Sequence, residues 1–351
     1  MSRGLGDVYK RLVTANVLAT GFSPVTFIYF ENNVDAVAGI DGPPQALAVF
    51  ENKDERFDIR PTDTPFNIGN VDKTFWFHTR IVNPGEEPIA QRLIAVVPYR
   101  PLLAGYLIDT QARTIPLIEH SYTSTFTERE ENSDIYADWP HRWLTSARFD
   151  VPAGQSVDVL VKYQADGSSY IPLDVVDELE LVGHIHNDNV SAVLFYSFSV
   201  ASILLFLLFG IAMQDRTARL YAGLFALALL MLSANEGFAF MLLWPQWPGW
   251  NQYSALVLVY LFSAFGFYVA DNAAEPSRKL SALTPVISRA LKLLAVISLI
   301  MAAMVPVLPA VFMTDASNLF VVLMFSAHAY AIYSWSKLEQ GGGSGRLLRR
   351  N

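Results

Sequence analysis

With 351 residues, 52% of them hydrophobic and 17% charged, and a mean hydropathy of +0.29, the chain is too apolar for an ordinary soluble protein of its length. Acidic residues outnumber basic ones 24 to 12 over residues 39–189, and the balance reverses to 6 against 10 over residues 190–351, so two regions in two different solvents are expected. The acidic region argues against a nucleic-acid partner, and the absence of cysteine excludes disulfide frameworks, thiolate metal sites and cysteine nucleophiles.

Residues 1–38 leave two readings open. Lys10 and Arg11 precede "LVTANVLATGFSPVTFIYF", 19 residues without a charge, and the small residues Ala36 to Ala38 follow. That order suggests a signal peptide cleaved near Gly39. The interruptions by Thr, Asn, Gly, Ser and Pro suit instead a poorly ordered N-terminus behind a start codon set too far upstream.

Residues 39–188 read as all-β. "TFWFHTRIV" (Thr74 to Val82), "RLIAVVPY" (Arg92 to Tyr99), "AGYLID" (Ala104 to Asp109) and "SVDVLVKYQA" (Ser156 to Ala165) are β-branched or aromatic runs. Turn chemistry in "NPGEEP", "DTQAR", "PAGQ" and "ADGSS" separates them. Strands this short and this closely spaced predict an antiparallel sandwich of the jelly-roll type, with no helix-length stretch among them.

From Val190 the pattern changes. Residues 190–212 carry no charge, and similar runs follow at 220–243, 253–270, 293–313 and 318–336. Each approaches the ~20 residues a spanning helix needs, so five spans are predicted, followed by a loop or tail at 337–351. Ten basic residues fall in the odd loops and the tail: Arg216, Arg219, Arg278, Lys279, Arg289, Lys292, Lys337, Arg346, Arg349 and Arg350. The alternate loops, Trp244 to Gln252 and Thr314 to Ser317, have none. The positive-inside rule then predicts a cytoplasmic C-terminal end and a β-region outside, with Trp244, Trp247 and Trp250 in an outer aromatic belt.

An outside sandwich followed by a multi-span bundle resembles a bacterial family, the seven-transmembrane receptors with diverse intracellular signalling modules. "NIGNVDKTFWFHTRIVNP" (Asn67 to Pro84) is similar to its sandwich entry, an aromatic strand with a central Trp that ends in Asn at a turn. "PHRWLTSARFDVPAGQSVDVLVKYQ" (Pro140 to Gln164) is similar to its later strand pair. The segment from Leu194 to Pro245 resembles its first two helices, with a short charged loop, a Tyr opening the second helix and a Trp-Pro closing it. The resemblance covers roughly residues 60–340. It implies a periplasmic sensor of carbohydrate-like or other small ligands in the bacterial inner membrane. That sensor would be coupled through seven helices to a cytoplasmic diguanylate cyclase or histidine kinase, in a homodimer. The sequence shows five spans, no "GGDEF" and no kinase motif, and "GGGSGRLLRR" lacks the G-K-[ST] of a P-loop. It therefore reads as the sensing portion, ending before helices six and seven and the output.

Among candidate sites, "YADWPHRW" supplies Tyr136, Trp139, Arg142 and Trp143, whose aromatic faces and bidentate cation could hold a sugar or an anion. A loop covering the sandwich edge is the plainer reading. His184 and His186 share a face if extended and, with Asp188, suggest zinc-type ligation; a polar hinge is the preferred alternative, and no metal or other cofactor is expected. Glu236, flanked by Asn235 and Gly237, lies seven residues before Trp244, roughly 12 Å below the outer interface at ~1.5 Å per residue. A carboxylate at that depth usually faces the bundle interior. His328 in span five is its candidate partner, and Pro306 with Pro309 predict a kink in span four. No nucleophile–base pair, G-x-S-x-G or H-E-x-x-H occurs, so the chain is not read as an enzyme and no catalytic residue is assigned. The other readings are a transporter or channel-like protein with an accessory outside domain, and an envelope glycan binder.

Overall fold

The computed structural model describes residues 28–31, 43–51, 58–59, 70–96, 102–121, 124–125, 144–168, 173–274 and 284–340. The chain divides into two compact units, Met1–His186 and Asn187–Asn351.

Among the described residues the first unit holds nine strands: β1 Ile28–Glu31, β2 Asp58–Ile59, β3 Asn70–Val82, β4 Ile89–Val96, β5 Leu102–Ile108, β6 Thr114–Ser121, β7 Leu144–Val151, β8 Ser156–Ser168 and β9 Leu173–Val176. They form a six-stranded sheet, β2-β1-β3-β8-β5-β6, and a three-stranded sheet, β7-β4-β9, with every pairing antiparallel. The spine is the long β3–β8 ladder, in register from Asn70↔Ser168 to Val82↔Ser156. Strand alternation sends Phe77, Ile81, Val157, Val159, Val161 and Tyr163 to one face. There they pack against Leu93, Ala147, Phe149 and Val151 of the smaller sheet, which makes a sandwich core. At Gly105 an added Cβ would sit 2.9 Å from Leu93 Cδ2, so close inter-sheet approach is what requires glycine there. The antiparallel sandwich expected from the sequence is present.

Turn chemistry holds one end of the sandwich together. Asn83, 2% exposed, donates from its amide to the carbonyls of Glu87 (2.8 Å), Val151 (3.0 Å) and Pro152 (3.2 Å) and accepts from Gly85 N–H (2.9 Å). It thereby ties the turn after β3 to the "PAGQ" turn between β7 and β8, where Gly154 has φ +65°. In the β5–β6 hairpin, Asp109 accepts from the N–H groups of Gln111 and Arg113 and from the Arg113 guanidinium. The Arg113 N–H above all holds its carboxyl below the usual range, against the opposing effect of burial.

Two features of this unit differ from the sequence reading. A nine-residue helix, α1 Pro43–Glu51, lies among the strands. Its Ala46 and Phe50 cover the second face of the large sheet, packed with Trp76, Ala104, Tyr106, Ile108 and Leu160. "PPQALAVFE" is too short for a helical period to stand out, and its helicity comes from docking rather than propensity. Strand β1, inside the stretch read as signal-like, pairs with β3 through Ile28↔His78 to Glu31↔Phe75.

The helices of the second half are α2 Glu178–Ala212, α3 Arg216–Asn235, α4 Phe238–Leu242, α5 Pro248–Ala273, α6 Thr284–Met304 and α7 Ala310–Gln340. Five of them, all but α4, are long and apolar enough to cross a membrane. Helix α5 is the most buried and forms the centre, with Tyr260, Phe267 and Ala270 packed among side chains of α3, α6 and α7. At Gly266 an added Cβ would overlap the Met324 side chain, so α5 and α7 approach closely there. Helix α2 is the least buried, and Val193, Leu194, Phe198, Leu205 and Leu208 are exposed on it as lipid-facing residues are.

Three span boundaries move. The predicted second span breaks at Glu236–Gly237, where Gly237 takes φ +86° between α3 and α4. The predicted fourth span, 293–313, is instead α6 at Thr284–Met304, because a helix can carry Arg289 and Lys292 at its end with the charged heads in water. Pro306 and Pro309 consequently sit in the turn before α7 rather than at a kink, and Pro309 C=O accepts the first bond of α7 from Met313. Thr314 to Ser317, read as a loop, lies inside α7, where Thr314 Oγ1 bonds Ala310 C=O (2.9 Å) and Ser317 Oγ bonds Thr314 C=O (2.8 Å).

Candidate functional site

The face of the large sheet beneath α1 carries the buried polar chemistry of the first unit. Its rows run Trp76–Lys162–Ala104, His78–Leu160–Tyr106 and Arg80–Asp158–Ile108 across β3, β8 and β5. Asp158 accepts from His78 Nε2 (2.7 Å) and from Arg80 Nε (3.0 Å) and Nη2 (3.1 Å). Burial, the largest influence, pushes the Asp158 carboxyl up, but the His78 and Arg80 hydrogen bonds and charges outweigh it and hold it below the usual carboxylate range. Phe50 of α1 meets the His78 ring edge-on at 5.8 Å, Trp76 stacks with Tyr106 at 6.2 Å, and Lys162 Nζ lies 5.8 Å from the Trp76 ring centroid. Trp76 is fully buried and its Nε1–H has no acceptor among the described residues.

None of these side chains was singled out in the sequence as a site residue, although Trp76 is the central Trp of the strand that carries the resemblance. The signal was there: in "TFWFHTRIV" Trp76, His78 and Arg80 recur at period two opposite Phe77, Thr79 and Ile81. What the sequence could not supply is Asp158, 80 residues from His78. On the smaller sheet, Arg92, 5% exposed, donates to Glu178 (3.3 Å) at the start of α2 and to Ser146 Oγ (3.5 Å).

Tyr136, Trp139, Arg142 and Trp143 lie outside the described residues. His184, His186 and Asp188 fall within α2, so the extended segment on which a shared histidine face depended does not exist.

In the membrane unit, Glu236 is the C-cap of α3 and half-buried, and its Oε2 accepts from Tyr196 OH on α2 at 3.2 Å. The Tyr196 ring also packs edge-on against Phe238, 4.7 Å away. Asn235 is exposed. His328 is not the partner of Glu236. Its ring packs against Tyr221 at 5.7 Å, near the start of α3, whereas Glu236 follows the end of that helix. Those fifteen residues correspond to roughly 20 Å at ~1.5 Å per residue. His328 Nδ1 bonds Met324 C=O at 2.9 Å; a carbonyl only accepts, so Nδ1 carries the hydrogen, while the buried Nε2 has no partner among the described residues. The described polar groups therefore tie elements together, and no activated nucleophile stands among them.

A β-sandwich ahead of a helical unit with five span-capable helices defines a multi-pass membrane protein with a large extramembrane part. A family model described as 7TM diverse intracellular signalling matches residues 188–341, most of the helical region, and this likeness points to a membrane signalling protein. No curated protein matches the chain. Among solved structures, it is similar to the beta-glucuronidase of Ruminococcus gnavus at 11% identity and a TM-score of 0.25, over 41% of this chain and 21% of that one. It is similar to the beta-glucosidase of Kluyveromyces marxianus in complex with glucose at 12% identity and 0.23, over 44% and 16%. The GH31 alpha-xylosidase of Xanthomonas citri gives 12% identity and 0.23, over 43% and 13%. The chain thus spans about a fifth or less of each, and likenesses this low carry no argument about its chemistry.

Proposed function

We propose that this chain is the sensing and membrane-spanning portion of a bacterial signal-transduction receptor. Its sandwich, residues 39–188, lies outside the inner membrane in the periplasm and takes a small ligand of carbohydrate type. The helical bundle relays occupancy to a cytoplasmic output of the diguanylate cyclase or histidine kinase kind, in a homodimer. The observation that carries the reading is the family match over 188–341. The Lys/Arg distribution supports the orientation, since every basic residue after Val190 falls on one predicted side. Signalling then requires that ligand bind one arrangement of the bundle better than another. The aromatic and cationic set Tyr136, Trp139, Arg142 and Trp143 is the proposed ligand face.

Orientation is tested with alkaline phosphatase fusions. Activity after Gln246 and none after Gln340 is expected, and the reverse pattern overturns the topology. Ligand sensing is tested on the full chain in nanodiscs by thermal shift against neutral hexoses, pentoses and uronates. A shift that disappears in Trp143→Ala is expected. The absence of any shift, or one retained in full by the variant, rejects that ligand face.

A further inference from the structure

We propose that the end of the bundle where α2 turns into α3 binds the phosphate headgroup of an anionic phospholipid. The uncharged run of α2 ends at Ala212, and Met213 to Asp215 make the turn, with Gln214 at φ +52°. Arg216 and Arg219 follow three residues apart on the first turn of α3, hence on neighbouring positions of one face. Both are exposed, and each is anchored to a different helix by a neutral acceptor. Arg216 Nη2 donates to Tyr268 OH of α5 at 2.7 Å, and Arg219 Nη1 donates to Gly210 C=O of α2 at 3.4 Å. Gly210 is what lets α2 come this near: a Cβ there would stand 2.8 Å from Arg219 N and 2.7 Å from Arg219 Cγ. Asp215, the adjacent acid, accepts instead from Thr217 N–H at 2.8 Å as the cap of α3.

Two guanidinium side chains on the first turn of α3 therefore reach to α5 and α2, with no carboxylate paired to either among the described residues. Each has further N–H groups to offer. Tyr268, having accepted from Arg216, keeps its own O–H to donate. The set is all donors and carries two positive charges, and its complement is a phosphodiester, which arginine binds in a bidentate fork. The surroundings select the lipid over a free anion. Phe209 and Met213, which flank Gly210 and the turn, and Tyr268, which holds Arg216, are exposed, as side chains facing acyl chains and headgroups would be. The arginines stand just beyond the last apolar residue of a span, the depth of the headgroup layer. A topological signal needs only charge somewhere in the loop, whereas these two side chains are preset in position by α5 and α2.

The test uses the full chain in nanodiscs of phosphatidylcholine with and without phosphatidylglycerol, and native mass spectrometry counts the lipid retained. Wild type is expected to keep phosphatidylglycerol in preference to phosphatidylcholine. Arg216→Gln/Arg219→Gln is expected to lower that preference on the order of 30-fold, about fivefold per arginine. Tyr268→Phe and the charge-keeping Arg216→Lys, which leave the helices intact, are each expected to lower it a few-fold. Arg289→Gln, an exposed cation of α6, is expected to leave it unchanged. An unchanged preference in the double variant, or an equal fall in Arg289→Gln, overturns the site. Displacement of the lipid by millimolar inorganic phosphate overturns its assignment to a lipid.

Discussion

Replacing Asp158 by alanine removes the one acceptor shared by His78 and Arg80. The two partners respond differently because their side chains differ in exposure, 6% for His78 and 52% for Arg80. Arg80 can turn to water, so its share is that of a surface ion pair, about 0–1 kcal/mol. His78 cannot, and loses a buried hydrogen bond to an ionised acceptor, about 1.5–3 kcal/mol. Asp158→Ala is therefore expected to cost about 3 kcal/mol and Arg80→Gln no more than about 1 kcal/mol. Native-state hydrogen exchange on the β3 and β8 amides of the full chain in nanodiscs reads both, and about 3 kcal/mol corresponds to exchange faster on the order of 100-fold. The pH dependence has a definite sign. The carboxyl is held below its unfolded value of ~3.9, so its stabilisation is fully present above that value and is lost as pH falls through the lower folded one. Wild type should lose β-unit protection below about pH 4 more steeply than Asp158→Asn does. Equal effects of Asp158→Ala and Arg80→Gln, or parallel pH profiles for wild type and Asp158→Asn, would refute the reasoning.

Asn83→Ala leaves three carbonyls and one N–H at the sandwich end without their side-chain partner, and should cost about 2–3 kcal/mol by the same exchange measurement. A loss under ~0.5 kcal/mol would show that water replaces the amide. Gly266→Val pushes α5 against the buried Met324 and should lower bundle stability by about 1–3 kcal/mol in thermal unfolding from nanodiscs. An unchanged midpoint would mean that Met324 has room to move. Tyr196→Phe removes the hydrogen bond from α2 to Glu236, worth about 0.6 kcal/mol on average within a bilayer. Because the chain has no cysteine, spin labels at Ser199→Cys and Ser233→Cys can follow the two helices. The distance distribution should broaden in Tyr196→Phe, and an identical distribution would dismiss the bond as a registering contact.

Much of the fold was legible because the solvent preference of each segment is written locally. The alternation in "TFWFHTRIV" and "SVDVLVKYQA" needs only a strand's period of two, and both segments are strands. The uncharged run from Val190 needs only the thickness of a bilayer. Polar residues misled where the helix itself satisfied them: Thr314 and Ser317 looked like a loop but bond to carbonyls of their own helix. Glu236 stood out as an intramembrane carboxylate, yet no local rule could choose between Tyr196, 40 residues before it, and His328, 92 after it.

By itself the sequence determined the order of the parts, an antiparallel β-region and then five apolar helices, because burial in protein or lipid is set by period and run length. It also determined the side of the bundle on which cations collect. Tertiary structure alone decided that α1 covers the second face of the large sheet and that Asp158 joins His78 and Arg80. It alone decided that Glu236 answers to α2, and that Arg216 and Arg219 are anchored by two different helices. Each of those depends on which distant segments meet, and a pairing across tens of residues leaves no periodic mark on either partner.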